Sequence, residues 1–452
     1  MSDRNIELTN KMLLRTKDDP ERFPVVFVPA LFGSDLVQDE EKVFVTPSIG
    51  LKLSTPDLKL PLKWTDSTDP DKPYPVQARD SIEPGDVLKK VEVKVCCKTI
   101  TLIDQYSKFC DYFQEKSKFH TFSYDWRRDL NETTDKLIEF LKEIKEKYGE
   151  PAQVVSHSMG CLIALAAYNT HPQLFHSSLF CGGMFAGGFG FYPTNTDGFP
   201  IGLNKTFLGP NVVHTFPSMY SCASPMGVQN DPILRCRDGR KLWNFVDFDT
   251  GKDIYIDMWK IEDWKKFQLG PWRSGGKPVS KEMEDHVKKC LEVGHAFQLR
   301  MRNLEVKDGK YVHKAPMHDL ETYQQVPLAV LVGDQFEHPD DFLWDSKKNK
   351  MVEWTPKLEN ELEPMFYSKT DGTVSYISAS QPPVPQGVEV EQYNALNNGP
   401  KLGNHRELMN DVIRIENILQ ELRKNASMQK NESFRRLSRQ ISSSLRSIDV
   451  DC

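Results

Sequence analysis

The sequence predicts an α/β fold: a mostly parallel central sheet with helices on both faces, enlarged by a cap insertion and a lid loop. Three observations predict it. Short apolar runs rich in β-branched residues alternate with helical patterns, which is the rhythm of parallel strands joined by crossovers. The run Val154-Val155-Ser156-His157-Ser158-Met159-Gly160-Cys161-Leu162 turns sharply from a strand pattern into an apolar helix pattern. Two long stretches, residues 38–84 and 191–320, have no clear period and interrupt the alternation.

The size is compatible with this reading. The chain has 452 residues, 39% hydrophobic and 27% charged, the make-up of an ordinary globular protein with a large core. Its formal net charge of -6 supplies no basic field for nucleic acid. Nine cysteines, an odd number without C-x-x-C spacing, fit reduced thiols better than a disulfide framework. Residues 1–20 are polar and no run approaches the roughly 20 apolar residues of a spanning helix. The expectation is a cytoplasmic protein whose membrane contact, if any, is peripheral.

After an N-terminal extension, residues 1–22, the first part of the core spans residues 23–190. It opens on Phe23-Pro24-Val25-Val26-Phe27-Val28-Pro29, a buried-strand pattern. The turn Ala30-Leu31-Phe32-Gly33-Ser34 follows directly. Residues 38–84 are proline-rich and polar with isolated Trp64 and Tyr74, a candidate lid. Val91-Glu92-Val93-Lys94-Val95 alternates as a half-buried strand would, and Leu102, Tyr106, Phe109 and Phe113 follow at helical spacing. Residues 122–128, Phe-Ser-Tyr-Asp-Trp-Arg-Arg, read as a strand end opening into a helix that runs to Tyr148 and stops at Gly149.

The stretch around Ser158 reads as a nucleophile elbow, in which a strained strand-to-helix turn exposes the serine hydroxyl above the sheet. Ser156 stands where the first glycine of G-x-S-x-G is usual, and the turn needs only small flanking residues. In such a site the two oxyanion donors are the N–H after the nucleophile and one from the loop after an early central strand, here Met159 and Leu31. The helix from Cys161 to about Asn169 is apolar all round and so buried. Leu179-Phe180-Cys181 and a glycine-rich exit through Gly182, Gly183, Gly187, Gly188 and Gly190 come next.

Residues 191–320, with Trp243, Trp259, Trp264 and Trp272 and a helix from about Lys281 to Arg302, read as the cap. Its aromatic residues are core by default, and a lipid-lining role is the sharper alternative. The second part of the core, residues 321–424, returns with the buried-strand pattern Val326-Pro327-Leu328-Ala329-Val330-Leu331-Val332. An orienting acid could come from Asp334 at that strand's end or from Asp371 in Asp371-Gly372-Thr373-Val374. The chain order Ser, Asp, His then requires a downstream histidine, and His405 is the one that follows Asp371.

Taken together, Val28-Pro29-Ala30-Leu31-Phe32-Gly33-Ser34, Tyr124-Asp125-Trp126-Arg127, Ser156-His157-Ser158-Met159-Gly160, Asp371-Gly372-Thr373-Val374 and His405 resemble the lecithin-cholesterol acyltransferase family, which includes lysosomal phospholipase A2 and phospholipid:diacylglycerol acyltransferases. The resemblance spans roughly residues 23 to 420. It implies an α/β-hydrolase fold with a cap and a lid over an acyl-chain pocket, Ser158 as nucleophile, Asp371 and His405 as its partners, and Leu31 and Met159 as oxyanion donors. It implies acyl transfer from a lipid ester, with glycerophospholipid the expected class, to water or to an alcohol, and no cofactor or metal. Tyr124-Asp125-Trp126-Arg127 is read as structural, with Arg127 a possible buttress of the oxyanion loop. A soluble carboxylesterase for small non-lipid esters and a catalytically inactive membrane-associated scaffold are the alternatives.

The tail, residues 425–452, is basic and serine-rich. Phe434, Leu437, Ile441, Leu445 and Ile448 recur at helical spacing among Arg435, Arg436, Arg439 and Arg446, a stripe suited to an anionic membrane surface and to disorder away from it. Arg435-Arg436-Leu437-Ser438 resembles a basophilic kinase site, where phosphate would weaken that attraction.

Overall fold

A computed structural model of the chain describes residues 23–429, except 71, 96–97, 187–197, 223–244, 248, 251, 255, 274–277, 340–341, 349, 353–366 and 396–403. The N-terminal extension, Cys96-Cys97, Gly187, Gly188, Gly190, Trp243 and the tail from residue 430 lie outside the described residues. Six parallel strands form the central sheet: β1 (Pro24–Val28), β2 (Lys118–Thr121), β3 (Ala152–His157), β4 (Phe175–Cys181), β5 (Leu328–Val332) and β6 (Val390–Asn394). Their spatial order is β2-β1-β3-β4-β5-β6. The chain therefore winds outward from β1 to one edge and then, from β3, to the other. The loops after β1 and β3 meet at this reversal, where open α/β sheets form a crevice.

The sheet is buried on both faces, and its period of two divides the core. Val26, Val28, Val154, Phe180, Val330 and Val332 pack in one cluster with Leu137 and Leu141 of α2 (Leu130–Tyr148), Leu162 and Leu165 of α3 (Met159–Thr170), and Leu291 and Phe297 of α4 (Lys281–Arg302). Val25, Phe27, Val155, Leu179, Ala329 and Leu331 pack in a second with Phe109 and Phe113 of α1 (Ser107–Lys116) and Ile415, Leu419 and Leu422 of α5 (412–429). Successive side chains on a strand point to opposite faces, so continuous apolar runs are what a doubly covered sheet demands.

Local signals set the helix ends. Asp129 caps α2 through Asn131 N, and Gly149 closes it in the left-handed conformation at φ 71°. The Ser280 hydroxyl accepts from Met283 N at the start of α4, whose last residue precedes left-handed Asn303. One reading needs correction. Residues 90–95 form a strand as expected, paired antiparallel with Lys98–Asp104 outside the central sheet, but Leu102 lies in that partner strand, so α1 starts only at Ser107. β-Branched residues at 99–101 complete a hairpin there and override the helical spacing.

Residues 38–84 carry short strands and one helical turn, with Phe44, Ile49, Leu58 and Leu60 buried. Arg127, wholly buried, fastens them down: it donates to both carboxylate oxygens of Asp80 (2.7 and 3.2 Å), to both of Asp125 (2.9 and 2.7 Å) and to Leu58 O (3.1 Å). Phe245–Asp247 and Phe342–Asp345 are neighbouring parallel strands of a separate four-stranded sheet. Helix α4 packs on α2 and α3, where Asn131 Nδ2 donates to Val293 O (3.0 Å) and Asn169 Nδ2 to Met301 O (2.6 Å). Among the described residues no helix is long and apolar enough to cross a membrane, and the five described cysteines are free and buried.

Candidate active site

β3 ends at His157, and the chain enters α3 through Ser158, which holds φ 54° and ψ -121°. A non-glycine residue at positive φ stores strain that the surroundings must over-determine. They do: Ser158 N donates to Cys181 O of β4 (3.0 Å), and Gly160 lies so close to β1 that a β-carbon there would sit 2.5 Å from the carbonyl oxygens of Val28 and Pro29. Ser156 is tolerated because it is still strand, wholly buried in register with Val28 and Phe180. The crossing glycine of this elbow is Gly160.

Ser158 Oγ lies 2.9 Å from His405 Nε2, and His405 Nδ1 lies 2.6 Å from Asp371 Oδ2. All three side chains are buried. The Asp371 carboxylate accepts on its other oxygen from Thr373 N (3.0 Å) and Val374 N (2.8 Å), and His405 N donates to Asp371 O (2.9 Å), so acid and imidazole hold each other through both backbone and side chain. An aspartate so placed fixes Nδ1 as the protonated nitrogen and leaves Nε2 to accept from the serine. Asp371 follows a short strand, Tyr367–Thr370, that pairs with Phe336–Pro339 outside the central sheet. Asp334, the competing acid, is partly exposed and meets Asn394 Nδ2 at 3.4 Å.

Leu31 lies in the turn after β1, closed by Gly33 N donating to Ala30 O (2.9 Å), and Phe32 there has φ 64°. Ala30 N is taken by Tyr106 Oη at 3.1 Å. Met159 is the first residue of α3, whose leading N–H groups have no partner within the helix and carry the positive end of its dipole. Tyr124 Oη donates to Pro29 O (2.7 Å) and Trp126 Nε1 to Ser34 O (3.1 Å), so these residues brace the turn after β1, while Arg127 instead anchors Leu58 and Asp80.

Sequence reasoning passed over Tyr106 and His157. Tyr106 Oη lies 2.7 Å from His157 Nδ1, and His157 Nε2 lies 2.9 Å from the carbonyl oxygen of His405. Burial pushes the His157 pKa well below the ordinary histidine range and raises that of Tyr106, so both are neutral. The one available signal was the strand period, which turns residue 157 to the α1 side of the sheet with Val155.

The sequence model of the lecithin:cholesterol acyltransferase family matches residues 101–177, which hold α1, β2, α2, β3 and the elbow. Over this stretch the chain resembles the lecithin:cholesterol acyltransferase family, and its parallel strand order is that of an α/β-hydrolase fold. The match includes Ser158 and Met159 and leaves Leu31, Asp371 and His405 outside it. No curated protein matches the chain. The chain is similar to the Tle4-Tli4 complex structure (13% identity, TM-score 0.44, 90% of this chain and 97% of that one). It is also similar to Bacillus licheniformis lipase BlEst2 in mature form (10%, 0.34, 89% and 93%) and to Bacillus subtilis carboxylesterase CesB (10%, 0.23, 70% and 78%). The fold of the chain is read from its own strand order and two-sided core. Among its described residues no group of three or more His, Cys, Asp or Glu is placed to hold a metal ion.

Proposed function

We propose that this chain is a serine acyl-ester hydrolase or acyltransferase acting on lipid esters, with glycerophospholipid as substrate class, through an acyl-enzyme on Ser158. The coarser statement, an ester-cleaving or acyl-transferring enzyme of α/β-hydrolase type, rests on the family match. The observation that carries the mechanism is the line of short contacts from Ser158 Oγ through His405 to Asp371.

In this reading His405 Nε2 takes the Ser158 proton as Oγ attacks the ester carbonyl. The carbonyl oxygen, now anionic, accepts from Leu31 N and Met159 N, and one such donor is typically worth about 2.7–4 kcal/mol of barrier. The imidazolium is held by Asp371 and returns the proton to the leaving alcohol. Water or an acceptor alcohol then attacks the acyl-Ser158 carbonyl by the same route in reverse.

A lipid substrate is supported by two features of the surface near the oxyanion loop. Phe32, one residue beyond the donor, meets Trp126 and Phe199 edge-on at 4.7 Å each, which makes the adjoining wall aromatic. Phe199 begins a hairpin whose tip, Leu203, is 73% exposed and donates from its N–H to Gly50 O (2.8 Å), beside Leu51 and Leu53, which are 57% and 78% exposed. Three bare leucines on two tied loops suit a lipid interface better than water.

The test is to incubate the protein with labelled phospholipid vesicles, with and without a long-chain alcohol, beside Ser158→Ala. Release of labelled fatty acid, or its appearance on the alcohol, is expected from the unmodified protein alone. Equal turnover by Ser158→Ala refutes the catalytic assignment, and turnover of dispersed short esters without any on vesicles refutes the lipid assignment.

A further inference from the structure

We infer that Tyr106 and His157 are positioning residues, a buried polar strut that locks the oxyanion loop, the nucleophile elbow and the His405 loop into one arrangement. The inference rests on the Ser158 reading above.

The hydrogen positions follow from the partners. A carbonyl oxygen only accepts, so the 2.9 Å contact to His405 O places a proton on His157 Nε2. The ring, neutral in its buried site, then has a bare Nδ1, and the Tyr106 hydroxyl 2.7 Å away must donate to it. The Tyr106 oxygen, its own hydrogen committed, is left to accept the Ala30 N–H at 3.1 Å. Each atom has one role and none is unsatisfied, which is the condition under which a buried polar network specifies one geometry.

The ends of the strut are the parts whose spacing matters for the reaction. Ala30 precedes the donor Leu31, His157 precedes Ser158, and the third anchor is the backbone of His405 itself. The two rings also touch: the His157 and His405 centroids are 4.8 Å apart with planes 35° from each other. On another side, a β-carbon at Gly182 would lie 3.0 Å from His405 Nδ1, so the reacting imidazole fits closely between neighbours. No proton travels through the strut. The Ser158 proton goes to His405 Nε2 and back, and His157 must stay neutral because a second charge 4.8 Å from the imidazolium would oppose its formation. The Tyr106 donor and the carbonyl acceptor hold it in that state.

A merely structural role is separable, since Tyr106 also packs on Phe27 with centroids 4.9 Å apart and Phe would retain that contact. The experiment measures turnover per active site, titrated with a fluorophosphonate, for Tyr106→Phe, His157→Phe and His157→Gln. The two Phe variants are expected to lose about 100-fold in kcat with KM changed by less than about threefold, the size of effect that a misplacement near 1 Å produces. A boronic-acid transition-state analogue should weaken in parallel. His157→Gln, which can still present an N–H toward His405 O, should recover about tenfold of that loss. Turnover per titrated site within about threefold of the parent for both Phe variants overturns the inference.

A second readout does not depend on turnover. Histidine-labelled 15N NMR of the unmodified protein should show His157 as the neutral Nε2–H tautomer from about pH 5 to pH 8, with the resonances of His405 displaced in Tyr106→Phe. An Nδ1–H tautomer or an imidazolium at His157 overturns the strut even if the protein were to process no ester. Failure of the fluorophosphonate to label Ser158 would instead overturn the function proposed above, and the spectra would still decide the strut.

Discussion

Replacing Gly160 with alanine tests the crossing on which the site depends. The added methyl would lie 2.5 Å from the carbonyl oxygens of Val28 and Pro29 and 3.0 Å from the Val28 carbonyl carbon. That is roughly 1 Å inside a comfortable separation. Neither oxygen can yield, because β1 is held by register pairs to β3 from Val25↔Gln153 through Val28↔Ser156 and to β2 on its other side. The start of α3 must therefore back away, taking Ser158 and Met159 N from Leu31 N. Overpacking of this kind costs about 1–3 kcal/mol of stability. Separating the donors should cost about 10²–10³ in kcat, the effect of losing one oxyanion donor. Stability is read by urea denaturation and kcat by ester hydrolysis with fluorophosphonate-titrated sites. Ser156→Gly is the control: glycine in a strand interior costs only about 0.5–1 kcal/mol and leaves the elbow's approach to β1 unchanged. A Gly160→Ala protein with kcat within threefold of the parent would refute the reasoning, because it would mean that the close approach does not set the donor geometry.

Asp371→Asn should lower kcat by about 10⁴, as expected when the acid that selects the imidazole tautomer is lost, while Asp334→Asn should leave it within about threefold; comparable losses at the two positions would show that the acid is misassigned. Arg127→Lys should cost about 3–5 kcal/mol, because lysine cannot serve Asp125 and Asp80 in forked pairs and leaves a buried carboxylate uncompensated; limited proteolysis should then cut first within residues 57–80, and parental resistance would speak against this anchoring role. Replacing Leu51, Leu53 and Leu203 together by serine should reduce turnover on vesicles at least about tenfold, since burying one leucine is worth about 1.5–3 kcal/mol, and spare short soluble esters; an equal effect on both substrates would refute the interfacial role. Acid should destabilise the fold through His286, whose pKa burial lowers to about 4. The unfolded chain binds a proton near pH 6.5 that the folded chain refuses until about 4, so stability is full above 6.5 and falls as pH drops through that window, by about 1.4 kcal/mol per unit for one group. Urea midpoints of the parent and His286→Gln between pH 7 and 5 check this, and identical slopes would contradict it.

Much of the architecture is written locally. Strands β1 and β5 are continuous apolar runs because the sheet they build is covered on both faces, and a doubly buried strand has no solvent face that calls for polar residues. Helix α4 could be bounded from sequence because Ser280 and Asn303 are themselves its end signals. The elbow was legible because its steric demand falls on residues adjacent in the chain, and the order of Ser158, Asp371 and His405 gave the candidates their roles. The edge strand β6, Val390–Asn394, escaped notice because an edge presents polar residues to water, and residues 90–104 misled because a hairpin pairing, invisible in a local window, overrode helical spacing.

Tertiary structure alone decided the choice between Asp371 and Asp334, since both follow strands and only the packing of the loop before α5 shows which carboxylate meets His405. It also decided that Tyr124 and Trp126, and not Arg127, brace the turn after β1, and that Tyr106 reaches His157. These contacts join residues tens to hundreds of positions apart through single hydrogen bonds, whose direction depends on where the sheet brings its loops together. Sequence alone determined which residues could do the chemistry, because composition and local turns are properties of neighbours. The folded sheet determined which of them meet, because the crevice between β1 and β3 exists only once the strand order reverses.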